Sequence, residues 1–139
     1  MRMESKKVVA YGYFSNFGIN TKENAMQHFQ NYISQNRNWE LKEVYLYTGS
    51  KIRNTEMIEK IVKSIENKEI DIVVLLKLRH LGKEKDFYNF VDKALAKNVN
   101  VISLKDNFNT LDDNCRIQYL VIREMMKGRM GRNKKILDR

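Results

Sequence analysis

From Ile72 to Leu76 five aliphatic side chains follow one another without a break, inside the longer run IDIVVLLKL (70–78). A strand with one wet face alternates apolar and polar residues, whereas a strand apolar at every position needs cover on both faces. This segment therefore demands a sheet with helices on either side, and the rest of the chain supplies both. KKVVAYGYF (6–14) reads as a strand through its Val, Tyr and Phe content, and Asn16, Gly18 and Asn20 then mark a loop. Thr21 caps a helix over about 22–36, with Met26, Phe29 and Ile33 on one face. WELKEVYLY (39–47) is a second strand, followed by the polar loop TGSKIRNT. Asn54 or Thr55 caps the next helix, whose stripe is Ile58, Ile61, Val62 and Ile65.

Beyond the apolar run, Phe87, Phe90, Val91 and Ala94 define a helix over about 84–97, and NVNVISL (98–104) is a fourth strand. A loop and then a long helix from about Asp112 complete the chain. Strands alternating with helices of this length predict an α/β fold: a doubly wound, mostly parallel sheet of about four or five strands. We divide the chain into an α/β domain over 1–111 and a C-terminal helix with a basic arm over 112–139.

The 139 residues suffice for one domain and are too few for two. No stretch has the roughly 18 to 20 consecutive apolar residues of a membrane span, and MRMESKKVV lacks the apolar stretch of a signal peptide. Cys115 is the only cysteine, so an intrachain disulfide and a cysteine zinc cluster are both excluded. A cytoplasmic setting, no metal and no cofactor are expected. Charge says more. The net charge is +9, and residues 116–139 hold eight basic and two acidic side chains. Such a concentration suits a polyanion, nucleic acid before membrane, with a solvated lysine-rich surface as the plain alternative.

Open α/β sheets bind ligands beyond the carboxyl ends of their strands. That rule selects the loops 15–20, 48–54 and 79–85, which contain Ser15, Arg53, Arg79, His80 and Lys83. Ser15 stands where the first strand ends, and shaping the turn is its simplest role. The cluster Lys77, Arg79, His80 and Lys83 has a plain reading too, as a solvated loop.

With these residues placed, the chain resembles the catalytic domain of the serine recombinases, the resolvase/invertase family, over about Val8 to the late 120s. That family carries Tyr-x-Arg-x-Ser on strand one, and here the stretch is Tyr11-Gly12-Tyr13-Phe14-Ser15. Its third strand ends Lys-Leu-Asp-Arg-Leu-x-Arg, and here it ends Lys77-Leu78-Arg79-His80-Leu81-Gly82-Lys83. Between the two the family has a tyrosine, an aspartate two residues on, a Ser-Gly and an arginine opening the next helix. This chain offers Tyr45, Tyr47, Ser50-Lys51 and Asn54-Thr55, with Arg53 close but out of register.

The resemblance implies DNA as partner and a metal-free reaction in which the serine hydroxyl attacks a phosphate while arginines hold the developing charge. Its candidate catalytic residues are Ser15 as nucleophile with Tyr11, Arg53, Arg79, His80 and Lys83. Here His80 stands as a cation or a base. Guanidinium suits the task through its fixed charge and planar fork. The departures at Tyr13, Tyr47, Arg79, His80 and Lys83 predict a domain that binds DNA or assembles on it with impaired cleavage. The alternatives are an active recombinase working through Ser15 and a flavodoxin- or receiver-like signalling domain.

In the last helix the apolar residues fall at 117, 120, 121 and 125, one face of a helix. Gly128 and Gly131 each weaken a helix by about 1 kcal/mol, so a flexible basic arm is expected beyond Lys127. By resemblance Ile117, Leu120, Val121 and Met125 pair two subunits into a homodimer, while Arg129, Arg132, Lys134 and Lys135 meet DNA phosphates. Pairing with an active recombinase is a further expectation. The plain alternative is a helix packed on its own sheet with a frayed tail.

Overall fold

The computed structural model describes residues 5–14, 18–49 and 51–137, and their side chains except in 51–53 and 128–137. Its elements run β1 (Lys6–Phe14), α1 (Thr21–Ser34), β2 (Trp39–Thr48), α2 (Lys51–Glu66), β3 (Ile72–Leu75), a 3₁₀ turn (Leu78–Leu81), α3 (Glu84–Ala96), β4 (Asn100–Ser103), β5 (Phe108–Asn109) and α4 (Asp113–Leu137). The sheet order is β2-β1-β3-β4-β5; the first four strands are parallel and β5 is antiparallel to β4. The predicted mostly parallel α/β sheet is the observed one.

Alternation along β1 builds two cores. Val8 and Ala10 meet Phe29 and Ile33 of α1 on one face of the sheet. Val9 and Tyr11 meet Ile61 and Ile65 of α2, Phe90 and Val91 of α3, and Tyr119 of α4 on the other. β3 is buried throughout, as its unbroken aliphatic run requires. A fully buried Phe29 contributes about 1.5–3 kcal/mol through the apolar surface it removes from water. A bulge in the β1–β2 pairing between Val8 and Val9 keeps both strands in phase beyond it.

Three expectations are corrected. α2 begins at Lys51, so neither Asn54 nor Thr55 is its cap; Asn54 lies within the first turns and is spent on another contact. The loop after β4 contains β5, whose two residues are too short to show a period. And α4 does not end near Lys127: its backbone remains helical through Gly128 and Gly131 to Leu137. Two glycines cost about 1 kcal/mol each, but Met, Arg and Lys around them favour the helix.

One face of α4 is docked on α3. The Tyr119 hydroxyl lies 2.7 Å from Asp92 Oδ1 and 3.1 Å from the Tyr88 carbonyl. Arg123 reaches Asp92 Oδ2 through Nη2 at 2.7 Å and stacks over the Tyr88 ring at 4.8 Å. Burial pushes the Asp92 carboxyl up, but the hydrogen bonds from Arg123 and Tyr119 outweigh it and hold the group below its usual range. The opposite face is bare: Ile117, Leu120, Val121 and Met125 are 58, 46, 52 and 54% exposed. Sequence periodicity found the stripe but could not say which side of it the sheet would take.

Candidate functional site

After β1 the chain crosses one way to β2, then back over β1 to β3. Opposite crossovers leaving one strand open a crevice at its carboxyl end. β1 and β3 are hydrogen-bonded neighbours, so their tips share that crevice. The Leu76 N–H still bonds the Tyr11 carbonyl at 3.1 Å, after which the chain turns into the 3₁₀ segment.

His80 ties the tips together. Its ring is buried, and Nδ1 accepts the Tyr13 backbone N–H at 3.1 Å. Its carbonyl accepts Asn54 Nδ2 at 3.1 Å, so β1, α2 and the 3₁₀ turn converge on one residue. An Nδ1 that accepts leaves the ring proton on Nε2, and the imidazole is neutral. Burial first, then Lys77 and Arg79, lower its pKa to about 4, with Asp106 opposing. Of the two expectations for His80, a cation or a base, the lowered pKa disfavours the cation, and Nδ1 is already occupied as an acceptor.

A pH dependence follows. The unfolded ring takes a proton near 6.5 and the folded ring only near 4. Between those values the unfolded state binds more protons, so stability is full above 6.5 and falls as pH drops toward 4. We expect a loss on the order of 1–2 kcal/mol, discounted for nearby solvent. In His80→Gln, whose Oε1 can accept the same N–H, this component should be absent. Denaturant titrations of both proteins at several pH values check it; parallel curves would contradict it.

Around His80 the crevice is aromatic. Tyr13 stacks on Tyr47 with ring centroids 5.9 Å apart, and Phe14 lies 5.8 Å from the imidazole. The Tyr13 hydroxyl donates to the Gly49 carbonyl. Gly49 has φ +139°, and a Cβ there would come within 2.7 Å of the Tyr47 hydroxyl, so only glycine fits. Tyr11 is wholly buried, and burial raises its pKa far above the ordinary value. Its hydroxyl is a protonated group with no hydrogen-bond partner among the described residues.

Cationic side chains rim this floor. Arg79 and Lys83 are exposed and form no ion pair among the described residues. Gly82, at φ +123°, turns the chain between them, and Asp86 Oδ2 takes the Lys83 N–H at 2.9 Å to start α3. Asp106 braces the turn from behind, accepting the Leu78 N–H at 2.7 Å and the Ser103 hydroxyl at 2.6 Å. From here a cleft of about 680 Å³ runs between α2 and α3, lined by residues that include Tyr13, Asn54, Arg79, His80 and Lys83.

Of the residues expected from sequence, the structure thus brings Tyr11, Arg79, His80 and Lys83 to one end of the sheet. Ser15, the next residue after Phe14, lies outside the described residues. The Arg53 backbone is in the first turn of α2, and Arg129, Arg132, Lys134 and Lys135 lie along the end of α4; their side chains are outside the described set. Sequence reasoning missed the bracing roles of Asn54, Asp86 and Asp106. Only Asp86 carried a local signal, an acid three residues after a helix start. No group of three metal-ligating side chains occurs among the described residues, and no described helix is long and apolar enough to cross a membrane.

The class these features define is an α/β domain with a doubly wound sheet, exposed Arg79 and Lys83 at its switch point, and a long trailing helix. The model of the resolvase N-terminal domain matches residues 11–132, and the chain belongs to that family of serine recombinases. The match displaces the flavodoxin- and receiver-like alternatives. No curated protein sequence matches. Among solved structures, the N-terminal catalytic domain of TP901-1 integrase is similar at TM-score 0.68 and 20% identity, over 91% of this chain and 98% of that one. A resolvase family site-specific recombinase from Streptococcus pneumoniae is similar at TM-score 0.60 and 18% identity, over 94% of each chain. At these identities the structures speak for the fold alone.

Proposed function

We propose that this domain acts on DNA as a resolvase relative that binds and assembles without cutting efficiently. The observation that carries the reading is the neutral His80 beside the Tyr13–Tyr47 stack. In the family this ground carries guanidinium groups that stabilise a phosphoryl transition state, and each such donor is worth about 100- to 1000-fold in rate. Here Arg79 and Lys83 remain as exposed cations, enough to hold a phosphate by charge. The relatives' names support the DNA partner: one is an integrase and another a site-specific recombinase.

In this reading, Arg129, Arg132, Lys134 and Lys135 on the end of α4 extend the phosphate contacts. The bare stripe of Ile117, Leu120, Val121 and Met125 pairs two copies. A cytoplasmic setting, where DNA is accessible, belongs to the same proposal, as does pairing with an active recombinase. The second reading, cleavage through Ser15, is favoured by one observation: β1 delivers its tip to the cationic turn.

Binding is tested by fluorescence anisotropy of a labelled duplex across a salt series. Affinity should fall steeply and linearly on a log–log plot, with a slope of about −0.9 per phosphate contacted. No binding at low salt would overturn the proposal.

A further inference from the structure

The cleft between α2 and α3 is larger and more apolar than a phosphate needs. Its volume of about 680 Å³ falls within the roughly 300–1,000 Å³ of small-molecule sites, and Ile58, Val62, Leu81 and Phe90 line it. A phosphate gains nothing from such walls, but a flat, weakly polar body on a charged strand does. Charge complements that shape. Lys85 and Lys93 line the cleft beyond Arg79 and Lys83, against only Glu59 and Asp86, and Asp86 is engaged by the Lys83 N–H. Asn54 on the cleft wall is 8% exposed, and its carbonyl oxygen has no hydrogen-bond partner among the described residues. A buried acceptor left unpaired costs about 1–3 kcal/mol, which a donor on an entering ligand offsets.

We propose that this cleft receives one unpaired nucleotide of a DNA strand, its base against the apolar walls and its phosphates on the cationic rim. The proposal rests on the DNA reading above and adds a preference for strand state. A base within a duplex reaches such walls only after it leaves the stack, at a cost of a few kcal/mol. A single strand has no such cost. The domain therefore favours single-stranded or locally opened DNA over intact duplex of the same length.

The test compares a short fluorescein-labelled oligo-dT strand with a labelled duplex of equal length, at one salt concentration. The single strand should bind about tenfold tighter, within the range of a single base-stacking contact. Asn89 lines the cleft from an exposed position on α3, so Asn89→Trp fills the space without entering the core. That variant should lose the single-strand advantage and keep its duplex affinity within about twofold, with unchanged circular dichroism. Lys85→Ala, also at an exposed position, should weaken single-strand binding about fivefold without blocking the cleft. Duplex binding equal to or tighter than single-strand binding, or an Asn89→Trp variant that keeps the preference, would overturn the cleft proposal and leave DNA binding standing. Loss of binding to both probes in the wild-type protein would overturn the two together.

Discussion

Replacing Arg79 and Lys83 together with alanine should weaken duplex binding on the order of 10- to 100-fold near 100 mM salt. The same double variant should flatten the log–log salt slope by about two, because each cation that meets a phosphate releases roughly one condensed counterion. Both side chains are exposed and unpaired among the described residues, so removing them leaves both cores intact. His80→Gln supplies the contrast. The imidazole is neutral and buried, so its replacement should change duplex affinity less than about threefold and leave the salt slope alone. Anisotropy titrations of the three proteins decide the matter; a double variant with wild-type affinity would move the phosphate contact away from the 3₁₀ turn.

Val121→Glu should abolish self-association. Val121 sits among Ile117, Leu120 and Met125 on the face of α4 that points away from Tyr119 and Arg123. A two-fold interface presents the same patch from both subunits, so one substitution places two carboxylates in it. Burying an unpaired charge costs several kcal/mol, enough for a loss of at least 100-fold in dimer affinity. The free protomer should fold as before, since the residue is exposed at 52%. Sedimentation equilibrium measures both points. A wild-type protein monomeric at every concentration, or a variant that still dimerises, would remove this face as the contact.

The sheet was legible where burial leaves a pattern. The unbroken aliphatic run at 72–76 forced a covered central strand, and the alternation in β1 placed Tyr11 and Tyr13 on one face. β5 escaped because two residues carry no period. The start of α2 was set a turn too late because Asn54 is a good cap by composition, while its side chain is used across the fold by the His80 carbonyl.

The site followed the same division. Which loops converge could be read from strand order and the carboxyl-end rule, and the structure brings the tips of β1 and β3 together. The state of His80 could not be read. It depends on a backbone N–H 67 residues away and on burial that local composition does not reveal. A histidine between Arg79 and Lys83 suggests a cluster of positive charge, yet burial first, and then the charges of Lys77 and Arg79, keep it neutral.

The central proposal is that the tip of β1 meets a cationic crevice, poor in guanidinium groups among the described residues, that holds DNA without cutting it. The most direct measurement incubates the protein with a nicked suicide duplex and separates covalent protein–DNA adducts on a denaturing gel. The account predicts DNA bound in the native gel and no adduct in the denaturing one, for the wild type and for Ser15→Ala alike. An adduct formed by the wild type and lost in Ser15→Ala would contradict it and establish an active recombinase with a rebuilt site.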